Sequence, residues 1–181
     1  MYERTVKSER AFSGRLLNVE VLQVELETGQ SSSREIVRHP GASVVLAQRT
    51  DGPFVFVRQF RKPIETCLLE VVAGTLVPGE DPAECARREL LEETGHEPLE
   101  MIHLGVVFPA PGYTDERLNT YFARVGIEQG PRDLDEDERI EIEYLEEGAV
   151  DSLIAQGKIE DAKTLSAWML YKVRGTQHVG S

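Results

Sequence analysis

Between Gly74 and Gly95 the chain reads GTLVPGEDPAECARRELLEETG, a stretch that writes both ends of a helix into its sequence. Asp81 offers an N-cap oxygen, Pro82 suits the first helical position because it has no N–H to lose there, and Glu84 follows three residues after the cap. The helix is expected to run from Pro82 to Thr94, since Gly95 takes readily to the left-handed conformation that ends a helix. At about 100° per residue, Ala83, Ala86 and Leu90 form one narrow apolar stripe for a core, and Glu89, Glu92 and Glu93 lie beside it in a single arc.

Three carboxylates spaced i, i+3 and i+4 repel one another, and such a face is commonly only a solvated one. A divalent cation reverses the sign of the interaction. All-oxygen donors with no thiol or imidazole pair nearby suit a hard ion, Mg²⁺ or Mn²⁺. Arg88 precedes Glu92 by four residues and is expected to pair with it, which would leave Glu89 and Glu93 as the freer ligands.

A chain of 181 residues, 40% hydrophobic and 29% charged, has the material for one domain with a real core and a small terminal extension. Two cysteines, Cys67 and Cys85, without a C-x-x-C support neither a disulfide framework nor a structural zinc. His39, His96, His103 and His178 show no ligand spacing and are expected to be structural or exposed. A net charge of −12 disfavours binding to nucleic acid. No apolar run is long enough to span a membrane, and Met1 to Glu9 is too charged for a signal peptide, so a cytoplasmic location is expected.

In chain order, Met1 to Phe12 has mixed charge and reads as a strand edge or a loose arm. Arg15 to Glu27 alternates as a strand, turns through Thr28 to Ser33 and returns over Arg34 to Arg38. Such a hairpin is too small to stand alone and needs a surface to pack on. Ser43–Gln48 and Phe54–Phe60 are two buried-looking strands, and Leu68–Val72 is a short one leading to Gly74. Met101–Phe108, Leu118–Val125 and Ile140–Leu145 complete the strands, the last after an acidic linker, 133–139. Glu147–Gln156 and Asp161–Arg174 read as helices.

The spacing of Gly74, Glu80, Arg88, Glu89, Leu90, Glu92, Glu93 and Gly95 matches G-x5-E-x7-R-E-U-x-E-E-x-G-U, the signature of Nudix hydrolases, which the chain resembles. His96 departs from it, standing where a bulky aliphatic is usual. The flanks Arg58-Gln59-Phe60-Arg61 and Glu70-Val71-Val72-Ala73-Gly74 resemble those of the ADP-ribose pyrophosphatase subfamily, with Val72 where proline is frequent. Pro111, fifteen residues beyond His96, the loop Pro111 to Glu116 and the segment Gly157 to Thr164 fit the same subfamily.

The resemblance implies an α/β protein: a Nudix-type α/β/α sandwich with a mixed sheet over 41–174 and a small N-terminal β-hairpin domain over 1–40; the terminal stretch 175–181 is expected to be a flexible tail. It implies that this hairpin is exchanged across a homodimer. It also implies that the Ala73 carbonyl, Glu89 and Glu93 hold Mg²⁺ or Mn²⁺, with Glu92 open as a third carboxylate ligand. Glu116, Glu92 and Glu93 become the catalytic candidates, with Glu116 orienting or deprotonating water. Arg61, Arg38 and Gly112 become the substrate-binding candidates. Hydrolysis of ADP-ribose to AMP and ribose 5-phosphate is the implied reaction. GDP-mannose, FAD or NADH as substrate, and a non-catalytic ADP-ribose sensor, stay open beside it.

Overall fold

Charged cross-strand pairs hold the first strand, where the sequence has no apolar alternation. The computed structural model describes residues 1–15, 17–134 and 139–174. These fall into two units, Met1–Gly41 with Phe108–Arg117, and Ala42–Val107 with the chain from Leu118 onward. The expected tail, 175–181, and part of the acidic linker, 135–138, lie outside the described residues.

In the first unit, β1 (Glu3–Ser13), β2 (Asn18–Leu26) and β3 (Ser31–Arg38) form an antiparallel sheet in the order β1-β2-β3. The hairpin expected from the sequence is thus β2 and β3, and the segment read as an edge or arm adds a third strand. Every residue of β1 is exposed, so apolar periodicity could not reveal it. Backbone pairing with β2 and ion pairs hold it: Arg4 to Glu25 at 3.0 Å and Arg34 to Glu3 at 2.5 Å. Leu22 and Val24 are the buried side chains of β2. Between β2 and β3, Gly29 takes the positive φ, 80°, that so tight a turn demands. The segment 108–117 is fastened to the end of β3. Val37 N–H donates to the Tyr113 carbonyl at 2.8 Å, and Asp115 N–H to the Val37 carbonyl at 3.3 Å.

The second unit explains why SVVLAQ and FVFV are apolar at consecutive positions. Its strands are β4 (Ala42–Arg49), β5 (Phe54–Arg61), β6 (Thr66–Glu70), β7 (Val72–Thr75), β8 (Pro98–Val107), β9 (Leu118–Val125) and β10 (Ile140–Leu145). Its helices are α1 (Pro82–Thr94), α2 (Glu147–Ala155) and α3 (Ala162–Arg174). The strand order is β10-β5-β4-β9-β8, with β6 on β5 and β7 on β4. Only β4 and β9 pair in parallel, so the sheet is mixed.

Side chains alternate between the two faces of each strand, and both faces are covered. Val45, Ala47, Val55 and Val57 pack with Ala86 and Leu90 of α1. Val44, Leu46, Phe54 and Phe56 pack with Val150 of α2 and with Ala167, Trp168 and Tyr171 of α3. A strand buried on both faces must be apolar throughout. This is the α/β/α sandwich the sequence implied. No helix among the described residues is long and apolar enough to cross a membrane.

The stretch expected as one strand, Leu68–Val72, is the junction of two. Glu70 ends β6, which pairs with β5, and Val72 begins β7, which pairs with β4. Val71 between them donates its N–H to Thr164 Oγ1 of α3 at 3.0 Å instead of to a strand. A tertiary hydrogen bond thus sets where the chain changes partner, and no local pattern announces it.

Candidate active site

Helix α1 begins and ends where its caps place it. Asp81 Oδ1 accepts the Ala83 N–H at 2.8 Å, and Gly95, at φ 72°, donates its N–H to the Leu91 carbonyl at 2.7 Å. Cys85, Ala86 and Leu90 are fully buried against the sheet, which turns Glu89, Glu92 and Glu93 toward the Gly74 loop. The close approach at Gly74 allows this. A Cβ there would sit 1.7 Å from Cδ of Glu89, so any side chain would displace that carboxylate.

Arg88 does more than the sequence suggested. Its Nη1 donates to Glu92 Oε2 at 3.0 Å, as expected, but also to Glu89 Oε1 at 2.6 Å. Its Nε and Nη2 grip Glu80 as a fork, at 2.9 and 3.1 Å. The planar guanidinium has enough donors to bridge three carboxylates at once. Glu89 is therefore held as firmly as Glu92, and not left the freer of the two.

Glu80 feels this pairing. The Arg88 guanidinium, with help from the Val77 N–H, holds its carboxyl down at about 2 instead of 4.5. A carboxyl depressed by folding contributes stability that is complete above its unfolded value and is lost as pH falls toward its folded one. Glu80→Gln should therefore melt lower than the wild type at neutral pH and lose less stability on acidification from pH 4.5 toward 2. Melting curves across that window check this, and identical acid slopes would contradict it.

Glu89, Glu92, Glu93, Ala73 and Arg61, all singled out from the sequence, line one cleft of 520 Å³. Arg61 enters from the end of β5. Its Nε and Nη2 donate to Glu70 at 2.7 and 2.5 Å, and this pairing holds the guanidinium above its usual range. Glu93 is 6% exposed.

The other three candidates belong to the first unit. Arg38 donates to Glu20 and to Asp115, each at 2.9 Å, and with Gly112 it lines a second cleft, of 740 Å³, walled by the 111–115 segment. Glu116 lies beside His39, with Oε1 3.7 Å from Nδ1.

The donors around α1 suit a hard divalent ion. They are carboxylates and a carbonyl, and Glu80, Glu89, Glu92 and Glu93 outnumber the one guanidinium, Arg88, that holds three of them. Among the described residues no three His, Cys, Asp or Glu side chains are gathered as a ligand set. Arg88 stands between two of the helix carboxylates as their counter-cation.

His96, the departure from the Nudix signature, is 1% exposed and lies 3.0 Å from the Tyr144 hydroxyl through Nε2. Burial, with Arg49 nearby, pushes its pKa down and keeps the ring neutral in that apolar position. Sequence reasoning gave no role to Lys163, which reaches Glu70 from the first turn of α3, or to Asp161, which pairs with Lys163 from just ahead of that helix. Their one signal was the Gly157 to Thr164 segment, which the resemblance marked as a whole without singling out either side chain.

The NUDIX domain family model matches residues 37–168. A Bacillus methanolicus protein named methanol dehydrogenase activator is 42% identical over 166 residues, which cover 91% of this chain and 90% of that protein. The ADP-ribose pyrophosphatase of Bacillus subtilis is 40% identical over 167 residues, with the same coverage of 91% and 90%. A GDP-mannose pyrophosphatase of Yersinia enterocolitica is 32% identical over 157 residues, 82% of each chain. A crystal structure of an ADP compounds hydrolase superposes with a TM-score of 0.85 at 23% identity, covering 99% of this chain and 97% of that one, which is a likeness of fold. By the match over 37–168 and by relatives at 40% identity or more along nine-tenths of both chains, this chain belongs to the NUDIX domain family and is a Nudix hydrolase.

Proposed function

We propose that the protein hydrolyses the diphosphate bond of ADP-ribose, adding water across it to release AMP and ribose 5-phosphate. The observation that carries this reading is the 520 Å³ cleft where Arg61, Ala73, Glu89, Glu92 and Glu93 meet, in a chain 40% identical to an ADP-ribose pyrophosphatase. Nudix hydrolases generally need divalent metal ions. Here the Ala73 carbonyl, Glu89, Glu92 and Glu93 would hold Mg²⁺, with Mn²⁺ as a substitute. Such an ion offsets the charge of a diphosphate and lowers the pKa of water.

The protein's own groups do the rest. Arg61, with Nε and Nη2 on Glu70, offers the Nη1 edge of its guanidinium to phosphate oxygens. Arg88 keeps Glu89 and Glu92 in fixed rotamers, so the carboxylates are in place before substrate arrives. Arg38 and Gly112 would be further contacts for substrate, and Glu116 would take the proton of the attacking water.

In this reading the protein works as a cytoplasmic homodimer that binds neither nucleic acid nor membranes. The wholly exposed β1, with Val6 and Phe12 among its outward side chains, supports exchange of the N-terminal sheet between copies. A fully active monomer in light scattering at micromolar concentration would contradict the dimer.

Substrate choice is tested by measuring kcat/KM for ADP-ribose, GDP-mannose, FAD and NADH with Mg²⁺. ADP-ribose should lead, and a preference for GDP-mannose would move the assignment toward the relative 32% identical. The relative named methanol dehydrogenase activator favours a second reading, control of a partner enzyme. A sensor that acts by binding alone would show ADP-ribose affinity with no turnover in the same assay.

A further inference from the structure

Glu70 is 1% exposed at the end of β6, and a carboxylate this deep is costly unless cations meet it. Two do. Arg61 takes both oxygens with its Nε and Nη2, and Lys163 Nζ reaches Oε2 from the first turn of α3. That turn is itself fixed. Asp161 accepts from the Thr164 N–H at 2.9 Å and from its hydroxyl at 2.6 Å, and it pairs with Lys163 at 3.0 Å. The same Thr164 hydroxyl receives the N–H of Val71, the residue after Glu70. Lys163 is thus delivered to Glu70 by a helix start bonded to the strand junction, and only 15% of its side chain is exposed.

We propose that Lys163 is a positioning residue for substrate binding, acting through Glu70 to set the guanidinium of Arg61 toward the cleft. This rests on the reading that Arg61 binds the diphosphate. Arg61 and Lys163 balance Glu70 and Asp161, so the group is formally neutral. Without the Lys163 charge it carries one net negative charge beside the place where an anionic substrate binds. Glu70 is then left with Arg61 as its one strong cation, and it competes with phosphate for the same guanidinium. Arg61 also feels Asp161 and Glu93, which add to that pull once Lys163 is gone. With Lys163 in place, the fork uses Nε and Nη2 and leaves the Nη1 edge of a 38%-exposed side chain outside it.

The test is a double-mutant cycle on KM for ADP-ribose, with kcat and melting temperature read alongside. K163M is expected to raise KM about tenfold with kcat little changed, because it weakens binding in ground and transition states alike. K163R should restore KM. In an R61A background, K163M should add almost nothing, since its route to the substrate is gone. Should K163M fail to fold, K163Q is read the same way. The proposal is overturned if Lys163 loss leaves KM unchanged, or raises it equally with and without Arg61. An R61A protein with wild-type KM would instead overturn the role of Arg61 on which the proposal rests.

Discussion

Glu93→Gln is expected to lower kcat by 10²-fold or more, about 3 kcal/mol of transition-state stabilisation, while the protein stays folded. Glu93 sits in the last turn of α1, is 6% exposed and lines the cleft beside Gly74. The amide has the same shape and volume, so packing against the sheet is kept. The anionic charge is what disappears, and with it the ligand that this side chain would offer a divalent ion under the proposed function. The core beneath it, Cys85, Ala86 and Leu90, is untouched. Steady-state kinetics with Mg²⁺ and a melting curve on the same preparation check both halves. A variant with near-normal kcat would remove Glu93 from the catalytic set.

Glu116→Gln should also cost about 10²-fold in kcat, the common range for loss of a general base, with KM for ADP-ribose little changed. The amide keeps a hydrogen-bonding group at that position but takes no proton. Pro109 and Pro111 stiffen the start of this segment and Gly112 gives it a joint, which suggests a short lid. The structure adds a constraint. Beyond Gly112, residues Tyr113 and Asp115 are bonded to Val37 of β3, and Asp115 also accepts from the His39 N–H and from Arg38. Freedom at Gly112 therefore does not free Glu116 from the end of β3. If the variant keeps near-normal kcat, activation of water falls to the helix glutamates, and the loop contributes to substrate selection.

The parts of the fold legible in the sequence were those fixed by local chemistry or by strict periodicity. Asp81, Pro82 and Gly95 gave both ends of α1 to the residue. Apolar runs identified β4 and β5 as buried strands, and the structure showed both of their faces covered. What stayed hidden depends on partners distant in the chain. Strand β1 is held by pairing and by charges whose partners lie more than twenty residues away, as in Arg4 with Glu25 and Arg34 with Glu3. The split between β6 and β7 depends on Thr164, and the Glu70 cluster on Lys163, each 93 residues from its partner. Within the site, the spacing of Arg88 and Glu92 gave one of its contacts. The fork to Glu80 depends on the path of the 76–81 loop that leads into α1, which spacing alone does not describe.

The most direct test of the account is the identity of the products formed from ADP-ribose by the wild-type protein with Mg²⁺. The expected result is AMP and ribose 5-phosphate in equal amounts, with formation stopped by EDTA and restored by excess Mg²⁺. Intact ADP-ribose after incubation with Mg²⁺ or Mn²⁺, or turnover unaffected by EDTA, would contradict it.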